Sequence, residues 1–192
     1  MLPLDDARIR ASFVNASRSE RKNLTLPADL DERDWERLDF LGWRDPKLPL
    51  VAYVLVPVDD DVVGLLLRQT ETRTRSRPQC AWCADVQLPN DVVFFSAKRG
   101  GAAGRRGDTI GTLVCEDFQC SHNVRTLPPL AYTGFDREAA RDRRIAMLRM
   151  NVENFARDVR DSALGDVGAA GRTHSALAGS RDQMGGGIRF IL

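Results

Sequence analysis

The chain has 192 residues, of which 43% are hydrophobic and 29% are charged, with 28 basic and 27 acidic side chains. This size and composition are typical of one soluble globular domain with extensions. The formal net charge of +1 argues against a global electrostatic attraction to nucleic acid or to acidic membranes.

The beginning of the chain indicates where the protein resides. Acidic residues follow Met1 where a secretory signal peptide would carry basic residues and then an apolar stretch. No run approaches the roughly 18 apolar residues that a membrane span needs. We therefore expect a cytoplasmic protein that does not enter a membrane and whose thiols stay reduced.

The sequence before residue 47 predicts a short helix over 5–16, a polar connector over 17–30 and a turn over 38–46. The helix places Ile9 and Phe13 on one side. A second short helix is expected to start at Asp31, whose carboxylate can accept hydrogen bonds from free backbone amides, and to run through Trp35 and Leu38.

Two strand-like apolar runs over 50–56 and 62–68 are separated by Pro57-Val-Asp-Asp-Asp61, which predicts an antiparallel hairpin. Their almost continuous hydrophobicity indicates that both faces of the hairpin are covered. Two further strands are expected over 91–98 and 109–114.

The clearest helix follows Pro128 and Pro129, with Asp136 as its N-cap. Its apolar stripe recurs at spacings of three and four and comprises Ile145, Leu148, Val152, Phe155 and Val159. Beyond residue 161, the Gly-, Ala- and Ser-rich composition predicts a flexible tail, with apolar residues at 188–192 that could dock on the domain.

These elements predict an α+β fold with antiparallel strands, a short N-terminal helix and a long C-terminal helix. Three segments are expected: an N-terminal helical or irregular extension over 1–45 that packs on the main domain, the main domain over 46–161, and the tail over 162–192.

The four cysteines of the chain form two close pairs, C-x2-C at Cys80 and Cys83 and C-x4-C at Cys115 and Cys120. Two such knuckles can supply four thiolates to one tetrahedral Zn²⁺, with no position left open for a catalytic water. Thiolates also suit iron–sulfur clusters. With a helix opening at 121–125, the hairpin and its knuckles would form a treble-clef arrangement around one structural zinc ion.

Other interpretations of the same residues stay open. The cysteines could form two disulfides, although the knuckle spacing favours a metal. His122 could replace a cysteine ligand, or lie on the surface. Trp82, inside the first knuckle, is expected to pack against the core rather than to remain exposed.

A basic glycine-rich segment, Lys98-Arg-Gly-Gly-Ala-Ala-Gly-Arg-Arg-Gly107, lies between two predicted strands. It lacks the Gly-Lys-Ser/Thr ending of a P-loop, and no G-x-G-x-x-G enters a helix, so nucleotide binding is not indicated. The segment could be a hairpin tip or a positively charged recognition surface. No catalytic constellation is evident, and we expect neither an enzyme nor a small-molecule substrate.

Taken together, C-x2-C, the Gly-Ala-Ala-Gly-Arg segment, Gly107-Asp-Thr-Ile-Gly-Thr112 and C-x4-C resemble the FusB-type elongation factor G-binding proteins. The resemblance is strongest over 78–125 and extends more loosely over about 8–160. It implies a C-terminal treble-clef zinc finger held by the four cysteines, which binds elongation factor G. In resistance members of this family, such binding frees the factor from ribosomes stalled by fusidic acid.

Two functional hypotheses follow. The first is a non-catalytic zinc protein that binds elongation factor G. The alternative is a zinc module that binds RNA or the ribosome through phosphate contacts. The candidate partner-binding residues are Lys98, Arg99, Arg105, Arg106 and Arg125, and the RNA alternative uses the four arginines on phosphates.

Overall fold

The computed structural model of the protein describes residues 1–71, 78–85 and 90–161, together with the backbone of Ile188–Phe190. Most of the predicted tail over 162–192 therefore lies outside the described residues. The described helices are α1 (Asp6–Ser12), α2 (Arg18–Asn23), α3 (Gly101–Arg105), α4 (Cys120–Arg125) and α5 (Arg137–Arg160). The strands are β1 (Leu41–Arg44), β2 (Val51–Val58), β3 (Asp61–Gln69), β4 (Val92–Lys98), β5 (Thr109–Cys115) and β6 (Ile188–Phe190).

The six strands form one sheet in chain order, β1 to β6. The first five are antiparallel neighbours, and β6 pairs with the first residues of β5 in parallel. The predicted α+β fold with an antiparallel sheet and a long C-terminal helix is thus confirmed.

The β2–β3 hairpin is longer than the sequence pattern predicts. Its pairing continues through Pro57↔Val62 to Val58↔Asp61, so the turn contains only two residues. Asp59 takes a positive φ of 55° there, a conformation that Asp tolerates better than most residues. Pro57 lies beyond the part of β2 that pairs with β1, where the strand has a free edge and a missing N–H is acceptable.

The N-terminal segment fills a gap in the sheet. β3 pairs with β4 only at Arg68↔Ser96 and Gln69↔Phe95, because the two strands diverge. Phe13 forms a parallel bridge with Gly64 in that gap. The Asn15 side chain then accepts from the Leu66 amide at 2.8 Å and donates to the carbonyls of Leu66 and Lys98 at 2.9 and 3.0 Å.

Both faces of the sheet are covered, as the hydrophobic hairpin predicts. On one face α4, α5 and the cysteines pack against alternate residues of β2, including Ala52, Val54 and Val56. On the other face the N-terminal segment packs Ile9 and Phe13 against the remaining ones, Val51, Tyr53 and Leu55. Strands with two covered faces have continuous hydrophobic runs for this reason.

Four local predictions need correction. The connector over 17–30 contains α2, which is closed by a capping box between Ser17 and Glu20. The turn over 38–46 contains β1, because pairing with β2 gives this short segment its hydrogen bonds. The helix expected from Asp31 is two separate 3-10 turns, Leu30–Glu32 and Trp35–Arg37, without side-chain caps. The basic segment contains the five-residue helix α3 instead of an open loop.

The long helix matches its prediction closely. Asp136 accepts a hydrogen bond from the Ala139 amide, and α5 runs from Arg137 to Arg160. Leu148, Val152, Phe155 and Val159 are buried, and Ile145 is partly buried. Within the described residues, none of the helices has the length and apolar character that crossing a membrane requires.

Candidate metal centre

The four cysteines meet in one buried cluster. Cys80, Cys83, Cys115 and Cys120 are all buried, and their sulfur atoms lie within 4.8 Å of one another. The closest approaches are 3.7 Å for Cys80 Sγ to Cys120 Sγ and 3.7 Å for Cys83 Sγ to Cys115 Sγ. These separations are too long for disulfide bonds, and all four cysteines are free.

The sulfur spacing suits a tetrahedral metal site. With Zn–S bonds of about 2.3 Å, the edge of a regular S₄ tetrahedron is about 3.8 Å, close to the two separations observed. Four sulfur donors fill a tetrahedron and leave no position for water or substrate. The cluster therefore fits a closed structural centre of the zinc-finger kind.

Local backbone geometry shapes the first knuckle. The Ala84 amide donates to the Cys80 carbonyl at 2.9 Å, and the Cys83 amide points to Cys80 Sγ at 3.5 Å. Ala84 has a positive φ of 55°, which lets the chain turn back immediately after the second sulfur. The Ala81 amide donates to the Leu113 carbonyl at 2.8 Å, so the knuckle is docked directly on β5.

The second knuckle joins a strand to a helix. Cys115 ends β5 and Cys120 begins α4. Between them Phe118 takes a positive φ of 59°, and its amide donates to the Cys115 carbonyl at 3.0 Å. A hairpin strand followed by a knuckle and a ligand-bearing helix is the treble-clef arrangement that the sequence predicts.

Asn123 supports the sulfur cluster from α4. It is 1% exposed, and its Nδ2 lies 3.5 Å from Cys115 Sγ and 4.0 Å from Cys83 Sγ. Asn90 Nδ2 donates to Asn123 Oδ1 at 3.0 Å, which orients the amide with its NH₂ group toward the sulfurs. An amide donor stabilises negative charge on thiolates, as expected of a group that surrounds a metal centre.

The four neighbouring thiols shift one another's pKa in opposite directions. Hydrogen bonding to Cys115 lowers the pKa of the Cys80 thiol, whereas interaction with the same neighbour raises the pKa of Cys120. Four adjacent sulfurs cannot all be negative without a compensating cation. The donor set thus calls for a metal ion when all four are thiolates.

Trp82 anchors the first knuckle to the core, as the sequence predicts. It is 2% exposed and lies edge-on to Phe40, with ring centroids 5.1 Å apart. It also contacts Phe155 of α5 at 5.7 Å and Phe118 of the second knuckle at 6.4 Å. This aromatic cluster couples both knuckles to α5.

Arg144 of α5 ties the two knuckles together. One guanidinium nitrogen donates to Asp85, two residues after Cys83, at 2.9 Å and to the Asn123 carbonyl at 3.3 Å. A second nitrogen donates to the Thr126 carbonyl at 3.2 Å. A single side chain therefore connects the first knuckle to the helix that carries Asn123 and to the residue that follows this helix.

Asp39 is a buried ionic centre beside α4. Its side chain is 1% exposed and pairs with Arg125 of α4 and with Arg149 of α5, the latter at 2.8 Å. Burial alone would raise the pKa of Asp39, but the hydrogen bonds from both arginines outweigh it and hold that pKa below its usual value. Its backbone amide donates to Ser121 Oγ at 3.1 Å.

Sequence patterns offer no signal for Asp39, Asn123 or Arg144 as supports of the centre, since their partners are distant in the chain.

His122 is exposed on α4, and the four cysteines alone make up the metal-ligating group among the described residues. The hypothesis that His122 substitutes for a ligand is thus without geometric support.

The predicted partner-binding residues separate into two places. Lys98, Arg105 and Arg106 are exposed around α3, where Arg106 lies 3.7 Å from Asp108. Arg99 is partly buried and donates to the Asp158 carbonyl at 2.8 Å. Arg125 lies apart from them, with its side chain 16% exposed and bound to Asp39, so its contacts serve the fold.

The basic segment is held at the far end of the β4–β5 hairpin. The seven residues of β5 run from Thr109, beside the segment, to Cys115, a distance of about 20 Å along a strand. The Gly100 amide donates to the Val159 carbonyl at 2.7 Å, which fixes the segment to the C-terminal turn of α5. A Cβ at Gly104 would lie 1.8 Å from the Arg99 carbonyl oxygen, so only glycine fits there.

The closed four-sulfur centre on a hairpin and helix defines a four-cysteine, treble-clef type of metal-binding protein. The family model described as FBP C-terminal treble-clef zinc-finger matches residues 8–159. The chain therefore belongs to this zinc-finger family, which confirms the resemblance found in the sequence.

Comparison with solved structures gives a neighbour that is similar over part of the chain. The solved structure of the fusidic acid resistance protein FusC has 22% sequence identity and a TM-score of 0.42, over 56% of this chain and 52% of that chain. The present chain thus matches about half of the length of that neighbour. A search of the curated proteins finds no match.

Proposed function

We propose that this protein is a non-catalytic, cytoplasmic adaptor that binds translation elongation factor G and promotes its release from ribosomes, including ribosomes stalled by fusidic acid. The observation that carries the proposal is the closed four-thiolate centre within a family-defining zinc-finger fold. Such a centre stabilises a surface and offers no site for bond-making chemistry.

One structural Zn²⁺ would be held by Cys80, Cys83, Cys115 and Cys120. The ion would join the two knuckles, and through Trp82 it would fix α5 to the sheet. Metal analysis of the purified protein should give one zinc per chain. A value near zero, or iron in place of zinc, would contradict this part of the proposal.

The contact surface would include the exposed basic residues around α3, namely Lys98, Arg105 and Arg106. Arg99 would hold the segment in place through its hydrogen bond to the Asp158 carbonyl. Their backbone is fixed by β4, β5 and α5, so little ordering entropy is lost on binding. Positive side chains on a rigid segment suit an acidic surface of a protein partner. Binding that prefers one conformation of the factor would shift its population toward release.

Isothermal titration of elongation factor G with the intact protein tests the proposal. We expect a one-to-one complex that Arg105→Glu/Arg106→Glu weakens at least tenfold. The matched control is Arg37→Glu/Arg143→Glu, which makes the same charge change at exposed residues on other elements and should bind like the wild type. Absence of a complex with the wild type would refute the function, whereas equal affinity of both double variants would remove only the basic segment from the interface.

A further inference from the structure

A second basic surface lies on the N-terminal helices, away from the metal centre. An open depression of about 440 Å³ is lined by Arg10, Arg18, Arg21, Lys22 and Ala11. Of these five described residues, four are cationic and none is acidic. Arg21 and Lys22 lie three and four residues after Arg18 on α2. These spacings place the three side chains on one face of the helix.

The carboxylates of these helices already have partners, and Asp6 neutralises Arg10, one of the four cations that line the depression. Asp5 accepts from the Arg8 amide at 2.7 Å, and Asp6 pairs with Arg10 at 2.6 Å. Glu20 pairs with Arg68 at 2.9 Å and also accepts from the Ser17 amide. Within the described part of the chain, the side chains of Arg18, Arg21 and Lys22 have no such partner, and the depression keeps an excess of positive charge.

The backbone beneath these cations is fixed at both ends of α2. The Ser17–Glu20 capping box closes the first turn. Arg10 donates to the carbonyls of Arg21, Lys22 and Leu24 at 2.8, 3.1 and 2.9 Å, which gives these carbonyl groups at the end of α2 a hydrogen-bond donor. Because α2 is anchored in this way, the three cations are presented from a rigid base instead of a fraying end.

The chemistry of the depression favours a nucleic acid over a protein partner. Protein interfaces have an apolar, often aromatic centre, whereas the apolar lining of this depression comes, among the described residues, from Ala11 and the aliphatic stems of the four cationic side chains. Interfaces with nucleic acids are more polar and much more positively charged. We propose that the depression on α1 and α2 binds the phosphate backbone of a nucleic acid without reading its sequence, since none of the described residues that line it is an aromatic on which a base could stack.

Fluorescence anisotropy with a labelled single-stranded RNA 20-mer, titrated at several salt concentrations, tests this site on the full chain. Each phosphate contact contributes about 0.7 to the slope of log affinity against log salt concentration for single strands. Arg18→Gln/Arg21→Gln/Lys22→Gln should therefore reduce the magnitude of that slope by about 2 and weaken binding at least tenfold at low salt. A DNA 20-mer of the same sequence and an RNA of scrambled sequence should behave like the first RNA.

The matched control is Arg37→Gln/Lys47→Gln/Arg143→Gln, which removes the same charge from exposed positions outside α1 and α2. Its slope should differ from the wild-type slope by less than half of the change that the α2 variant shows. Circular dichroism should show both variants to be folded. The proposal is overturned if the wild type does not bind RNA at 50 mM salt, if both variants weaken binding equally, or if poly-glutamate of equal charge displaces RNA as well as unlabelled RNA does.

Discussion

The side-chain amide of Asn123 lies 3.5 Å from the sulfur of Cys115, and Asn123 is three residues beyond Cys120 on α4. Asn90 fixes the orientation of that amide by donating to its oxygen. The four sulfurs therefore have an oriented hydrogen-bond donor beside them, and substitution of Asn123 tests what this donor contributes.

We expect Asn123→Ala to weaken zinc retention roughly tenfold. Removing a hydrogen-bond donor that lies next to metal ligands typically has about this effect. Asn123→Asp should weaken it further, since a carboxylate of the same shape places negative charge beside the thiolates. Competition with a chromophoric chelator measures both effects. Asn154→Ala, at an exposed asparagine of α5, is the control and should release zinc like the wild type.

Cobalt substitution should report on His122. We expect the Co²⁺ protein to show the visible spectrum of a tetrahedral, all-thiolate site, and His122→Ala to leave that spectrum unchanged because the His122 side chain is exposed. Cys120→Ser, which removes a buried ligand sulfur, should change it. A spectral shift in the His122 variant would show that the imidazole takes part in coordination.

The buried carboxylate of Asp39 should make stability depend on pH. Burial raises its pKa, but Arg125 and Arg149 outweigh burial and hold the pKa below the ordinary value of 3.8. Its stabilising contribution is therefore present above pH 3.8 and is lost as the pH falls through the lower folded value. Asp39→Asn should cost about 3 kcal/mol at pH 7, because two arginines lose their buried partner.

Urea unfolding of wild type and Asp39→Asn from pH 7 to pH 3 measures this contribution. The difference in unfolding free energy should shrink at the acid end, and acid release of metal affects both proteins alike. Asp60→Asn, in the exposed turn between β2 and β3, should match the wild type at every pH. A pH-independent difference for Asp39→Asn would argue against the ion pair as the cause.

Gly104→Ala should disturb the basic segment. The added Cβ would lie 1.8 Å from the carbonyl oxygen of Arg99, a backbone atom that cannot move without shifting the β4–α3 connection. We expect a loss of about 1–3 kcal/mol in thermal or urea unfolding, the usual range for overpacking. Ala102→Gly, a change of the same size in the same short helix, should cost less than about 1 kcal/mol. A Gly104→Ala variant as stable as the wild type would show that the segment is pliable.

The sequence by itself determined the β2–β3 hairpin apart from its tight two-residue turn, the helix α5 with its Asp136 cap, and the four-cysteine set. These features depend on local periodicity, capping or short spacing, which one stretch of chain contains in full. The family resemblance rested on the stretch from 78 to 125, because its glycines and cysteines stand at fixed distances along the chain.

Only the tertiary structure decided which distant side chains support these elements. Asp39, Arg125 and Arg149 meet from three separate segments, and Asn15 joins two strands that are far apart in the chain, at Leu66 and Lys98. The structure also pairs Arg125 with Asp39, away from α3, and it places the basic segment at the opposite end of β5 from the four cysteines. Such pairings depend on how strands diverge and helices cross, and local sequence patterns do not encode that geometry.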